Sequence, residues 1–153
     1  MNNDTRKAAL KRLDAFIGTW RLEASFAHAT GADDGAALSV FEWMLDGQFL
    51  VQRTTSLHLA PDSVSIVSHD PDGKTFSQHY FDSRGVVRVY SMSFTDGVWT
   101  LLRDSPDFSP LDFWQRFIGT FSAAGDSIVG LWETSSDGSS WAHDFDLTYS
   151  KVE

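Results

Sequence analysis

The chain has 153 residues, with 12 Lys and Arg against 21 Asp and Glu, a formal net charge of -9, and no cysteine. Six Trp and twelve Phe among 42% hydrophobic residues supply a core for a single domain over residues 1–153 and argue against disorder. Without cysteine there are no disulfides, thiolate nucleophiles or Cys-based zinc sites, and an acidic surface repels nucleic acid. No apolar run approaches the ~20 residues of a membrane span, and Met1-Asn2-Asn3-Asp4 has neither the basic nor the apolar part of a secretory signal. A cytoplasmic protein without nucleic-acid or membrane partners is expected.

Only the N-terminus has helical period. Asp4 is placed to cap a helix over 4–16, with Ala8, Ala9, Leu13 and Phe16 or Ile17 as its apolar stripe. Gly18 ends it. From Trp20 the period falls to two: Trp20, Leu22, Ala24 and Phe26 alternate with Arg21, Glu23 and Ser25. Turn signals then recur at Asp46-Gly47, Pro71-Asp72-Gly73, Arg84-Gly85, Asp96-Gly97, Gly125-Asp126 and Asp137-Gly138. Between them the sequence predicts strands near 19–28, 37–45, 48–59, 63–69, 75–82, 86–94, 98–103, 113–122, 127–134 and 140–150. Ten strands in hairpin succession form a meander, and closure removes its edges. The expected fold is all-β, a closed antiparallel up-and-down barrel of about ten strands with the short N-terminal helix covering one end; a flattened sandwich is the alternative. The longest break, 104–112, holds two prolines and three aspartates around Phe108 and Leu111. It reads either as a lid or as a loop tucking two side chains onto the rim.

Strand parity selects the inner faces. The first strand turns in Trp20, Leu22, Phe26 and His28, the sixth Val86, Arg88, Tyr90, Met92 and Phe94. The eighth turns in Phe113, Gln115, Phe117 and Phe121, the tenth Trp141, His143, Phe145, Leu147 and Tyr149. Apolar rows with a few polar groups describe a small-molecule pocket, and a ten-stranded barrel is wide enough to keep a void. Parity is ambiguous in 37–45, where Phe41/Trp43/Leu45 competes with Val40/Glu42/Met44, and in 75–82, where Phe76/Tyr80 competes with His79/Phe81. The candidate ligand-binding residues are Arg88, Tyr90, Gln115, Phe117, Trp141, His143 and Tyr149. Arg88 and Tyr90, two apart on one strand, project to the same side and suit a carboxylate. The competing reading pairs Arg88 with Glu42 or Asp82, or leaves it in solvent.

The spacing of His28, His58, His69 and His79 suggests no metal site, and Asp104, Asp107 and Asp112 lack the glycine and bidentate glutamate of a calcium loop. No nucleophile elbow, P-loop or dinucleotide fingerprint occurs.

Gly18-Thr19-Trp20 resembles the Gly-x-Trp signature of the calycins, the superfamily of lipocalins and fatty-acid-binding proteins, and Leu147-Thr148-Tyr149-Ser150-Lys151-Val152 is similar to the last strand of the latter. His79-Tyr80-Phe81-Asp82-Ser83-Arg84-Gly85-Val86 and Gly130-Leu131-Trp132-Glu133 resemble an uncharacterised bacterial calycin-like family. The resemblance implies that Trp20 packs across the closed barrel end with Lys151 as its basic partner. Residues 29–36 are too few for the helix pair of fatty-acid-binding proteins. Those proteins also use an Arg-x-Tyr pair for a carboxylate, on the last strand rather than the sixth. Nitrobindin-like calycins bind haem through a late-strand His, a position comparable to His143, but Arg21-Leu22-Glu23-Ala24 follows Trp20 where they carry two glycines.

The reading that emerges is binding of a small hydrophobic or amphipathic molecule, a carboxylate included, with no required cofactor. The alternatives are a cyclase or isomerase with His143, Tyr90 or Tyr149 as proton donor, a haem protein using His143, and an interaction scaffold that forms a homodimer. No catalytic residue can be assigned from the sequence.

Overall fold

Alternating apolar and polar residues predict strands from residue 18 onward, and the computed structural model of the chain forms ten of them. It describes residues 3–25, 37–56, 61–70 and 75–152. The strands are β1 (Gly18–Ser25), β2 (Ala37–Met44), β3 (Phe49–Ser56), β4 (Ser63–His69), β5 (Phe76–Asp82), β6 (Val87–Thr95), β7 (Val98–Arg103), β8 (Trp114–Phe121), β9 (Ser127–Ser135) and β10 (Ala142–Lys151). Each pairs antiparallel with its chain neighbours, and β1 pairs with both β2 and β10, so the barrel is closed and no edge is left. Tight turns follow from local chemistry. Asp96 and Gly97 both have positive φ (54° and 76°), the geometry of a two-residue hairpin whose twist matches its strands.

The N-terminal segment is the helix α1 (Asn3–Arg12) followed by a 3₁₀ turn, Leu13–Phe16. Asp4 therefore lies inside the first turn, and its side chain is outside those described. Ala9, Leu10, Leu13 and Phe16 are buried, whereas Ala8 is exposed. The stripe is thus shifted by one residue at its start. No helix among the described residues is long and apolar enough to cross a membrane.

This segment closes one end of the barrel. Phe16 is fully buried, with its ring centroid 5.4 Å from Phe41, 5.0 Å from Phe94, 4.9 Å from Trp99 and 5.1 Å from Phe121. The Trp20 indole N–H donates to the Phe16 carbonyl at 2.8 Å, so the first strand and the plug are tied together. Lys151, opposite Trp20 in the β1–β10 register, sets its ammonium 5.5 Å from the indole ring. Trp20 and Lys151 thus hold the places that the calycin resemblance implied.

The strand directions put the other end of the barrel at the connections 83–86, 104–113 and 136–141. The segments 26–36, 57–60 and 71–74, with the predicted strand ends 26–28 and 57–59, the turn Pro71-Asp72-Gly73, and His28 and His58, lie outside the described residues. Parity is resolved in both ambiguous strands: Ser39 and Phe41 are buried on β2, Phe76 and Gln78 on β5. An inner face that mixes polar and aromatic residues made these rows hard to assign.

Candidate functional site

Above the aromatic floor the barrel keeps a cavity of about 540 Å³, within the usual range for small-molecule sites. Gly119 and Gly130, directly opposite each other on β8 and β9, help to create it. A Cβ at Gly130 would stand 2.5 Å from the Phe117 ring and 2.9 Å from the Leu147 carbonyl oxygen. The missing side chains let the Phe117 ring lie flat along the wall. It packs against Trp99 at 4.9 Å and Trp132 at 5.2 Å.

Arg88, Tyr90 and Gln115 stand together on the lining. The Tyr90 hydroxyl donates to Gln115 Oε1 at 3.4 Å. Burial pushes the Tyr90 phenol up to about 12, against the opposing fields of Arg88 and Arg103. It remains a protonated hydrogen-bond donor at neutral pH. Arg88 Nη1 donates to the Val87 carbonyl at 3.2 Å and to Ser109 Oγ at 3.3 Å. Neither acceptor is charged. The carboxylates proposed as its partners are engaged elsewhere, Glu42 by Arg53 and Asp82 by Arg84, and Arg88 makes no ion pair among the described residues.

Deeper in, Gln52 Nε2 donates to Ser39 Oγ at 2.8 Å and to the Tyr149 hydroxyl at 3.3 Å. Burial raises the Tyr149 phenol to about 12 as well. Tyr80, pushed above the normal phenol range mainly by burial, donates to Asp82 at 2.9 Å. Two buried polar atoms on the lining residues have no partner: Gln78 Oε1 and the Trp99 indole nitrogen. An unmatched buried polar group costs about 1–3 kcal/mol.

Two ion pairs fix the mouth. Arg103 continues the inward row of Trp99 and Leu101 and is 2% exposed. It forks onto Asp107 with Nε–Oδ2 at 2.8 Å and Nη2–Oδ1 at 2.9 Å. Asp107 also accepts the Val89 backbone N–H, which the shorter β7 leaves without a strand partner. The 104–112 loop is thereby pinned to β6. Phe108 is 79% exposed and does not tuck onto the rim, whereas Leu111 is half-buried. At the β5–β6 turn, the enclosed Asp82 carboxylate receives the Arg84 guanidinium and the backbone N–H groups of Arg84 and Val86. The Arg84 hydrogen bond is the main reason its pKa falls to about 2.

Of the residues singled out in the sequence, Arg88, Tyr90, Gln115, Phe117 and Tyr149 line the cavity. His143 and Trp141 do not. The β9–β10 register shifts between His143 and Phe145, a bulge at Asp144 that reverses the alternation of every residue before it. His143 is exposed and bonded to Asp146 at 2.7 Å. Trp141 packs on the outside under Arg116, whose guanidinium lies 4.1 Å over its ring. His143 cannot act in the cavity, as a haem ligand or as a proton donor. No described lining residue is a histidine. Among the described residues there is also no group of three or more metal-ligating side chains.

The sequence reading missed Gln52, Gln78 and Arg103. The i, i+2 rows Phe76-Gln78-Tyr80 and Trp99-Leu101-Arg103 carried the signal.

No protein-family model and no curated protein matches the chain. Among solved structures it is similar to that of Rv2717c from M. tuberculosis, with 13% sequence identity and a TM-score of 0.57. The match covers 95% of this chain and 98% of the other. At that identity the likeness is one of fold, and it is consistent with a calycin-like barrel.

Proposed function

We propose that the barrel binds a small amphipathic molecule bearing an anionic group, a carboxylate above all, with Arg88 as the anchor. The observation that carries this reading is a guanidinium without a carboxylate partner on the wall of a largely apolar hollow. Desolvation strengthens such a charge-assisted contact, and the planar fork matches a carboxylate. Tyr90 adds a neutral donor beside it. Binding is favoured over catalysis because the described lining has no histidine or carboxylate, and its buried phenols hold their protons at neutral pH.

The test is a fluorescence titration with 11-(dansylamino)undecanoate. The native protein should saturate at one probe per barrel. A hydrogen bond to a charged group is worth about 1.5–3 kcal/mol, so Arg88→Met should weaken binding by about tenfold or more. His143→Ala, on the outer face, should bind like the native protein. No saturable binding, or equal affinity for Arg88→Met, would overturn the proposal.

A further inference from the structure

The cavity wall is divided by strand, with one side polar and the other apolar. Around the ring, β3 to β6 contribute Gln52, Thr54, Ser65, Gln78, Tyr80 and Tyr90. From β7 round through β10 to β1 the wall is Leu22, Leu101, Phe117, Trp132, Phe145 and Leu147. Gln115 and Tyr149 are the polar exceptions on that side, and each is already hydrogen-bonded to a residue of the polar arc.

A linear alkyl chain has no polar face. Inside this cavity it would lay methylene groups on amides and hydroxyls along β3 to β5 and strip their water without replacing it. Gln78, only 4% exposed, already holds its Oε1 buried without a donor. Gln78 lines the cavity, and once its amide turns the oxygen to the hollow, a ligand hydroxyl along β5 supplies that donor. A rigid fused-ring skeleton keeps hydroxyls on one side and hydrocarbon on the other with little ordering cost.

We infer that the site selects a rigid fused-ring carboxylate with hydroxyl groups along one face, over a linear fatty acid. The inference rests on the binding function proposed above and specifies its ligand class. The hydrocarbon face lies on Phe117, Trp132 and Leu147, the hydroxyl face meets Gln78 and its neighbours, and the carboxylate reaches Arg88.

Calorimetry with three carboxylates below their micellar concentrations tests it: cholate, whose hydroxyls share one face; 5β-cholanate, the same skeleton without them; and laurate. Cholate should bind one per barrel, about tenfold or more tighter than 5β-cholanate. Gln78→Leu should remove most of that preference and leave 5β-cholanate little changed. Should that variant fail to fold, the native protein's ranking of cholate against 5β-cholanate decides. If 5β-cholanate or laurate binds as tightly as cholate, the inference is overturned and the binding function stands. If neither these carboxylates nor the dansyl probe binds, both are overturned.

Discussion

Phe16→Ala tests whether the N-terminal segment is part of the barrel's core. The Phe16 side chain is fully buried, and its ring meets Phe41, Phe94, Trp99 and Phe121 at centroid distances of 4.9–5.4 Å. Truncating a buried phenylalanine costs about 3–5 kcal/mol from lost transfer energy and the cavity left behind. Here the upper half of that range applies, because the four rings belong to separate strands held in register and cannot collapse into the hole. Total stability of a domain is about 5–15 kcal/mol, so the variant should still fold. For a chain of this size each kcal/mol moves the Tm by about 2–4 °C, giving a drop of roughly 8–20 °C. Urea unfolding followed by circular dichroism should show a lower midpoint at an unchanged slope. Phe108→Ala, at a residue 79% exposed, should be close to neutral. A loss below about 1 kcal/mol for Phe16→Ala would mean that the N-terminal segment is a detachable helix, which is marginal on its own, and not part of the core.

Gly130→Ala should destabilise by about 1–3 kcal/mol, the range for overpacking a core, because its Cβ would strike the Phe117 ring and a backbone carbonyl oxygen. The displaced ring should also weaken dansyl-probe binding; unchanged stability and affinity in the same titration would show that the wall has slack. Acid should destabilise the mouth. The folded-state pKa values of Asp107 and Asp82 are depressed, chiefly by hydrogen bonds from Arg103 and Arg84, while unfolded aspartates titrate near about 3.9. Their contribution is therefore complete above about pH 5 and is lost progressively as the pH falls below that, that of Asp107 persisting to lower pH than that of Asp82. Urea midpoints should decline across that window, less steeply in Asp107→Asn; a flat profile in the native protein would contradict the assignment.

Much of this fold was legible from residue 18 onward because hairpin chemistry is local. Asp96-Gly97 specifies its own turn, and an alternating row such as Trp20-Leu22-Ala24 shows its face directly. The site was legible where alternation ran unbroken, as from Arg88 to Phe94 and from Gln115 to Phe121. It failed on β10 because a single bulge residue, Asp144, carries no compositional mark yet turns His143 and Trp141 outward. It was blurred on β2 and β5 for a different reason. Parity arguments assume an apolar interior, and the buried Ser39, Gln52 and Gln78 violate that assumption. Arg103 escaped notice because its partner lies in an irregular loop, where no period places Asp107 beneath it.

The most direct test of a ligand seated in this hollow is a set of intermolecular nuclear Overhauser contacts from bound 11-(dansylamino)undecanoate. Contacts are expected from the alkyl chain to Phe117 and Leu147, with the Arg88 guanidinium resonance shifting on binding. Contacts confined to Trp141 and the outer face of β10, or an Arg88 resonance that does not move, would contradict it.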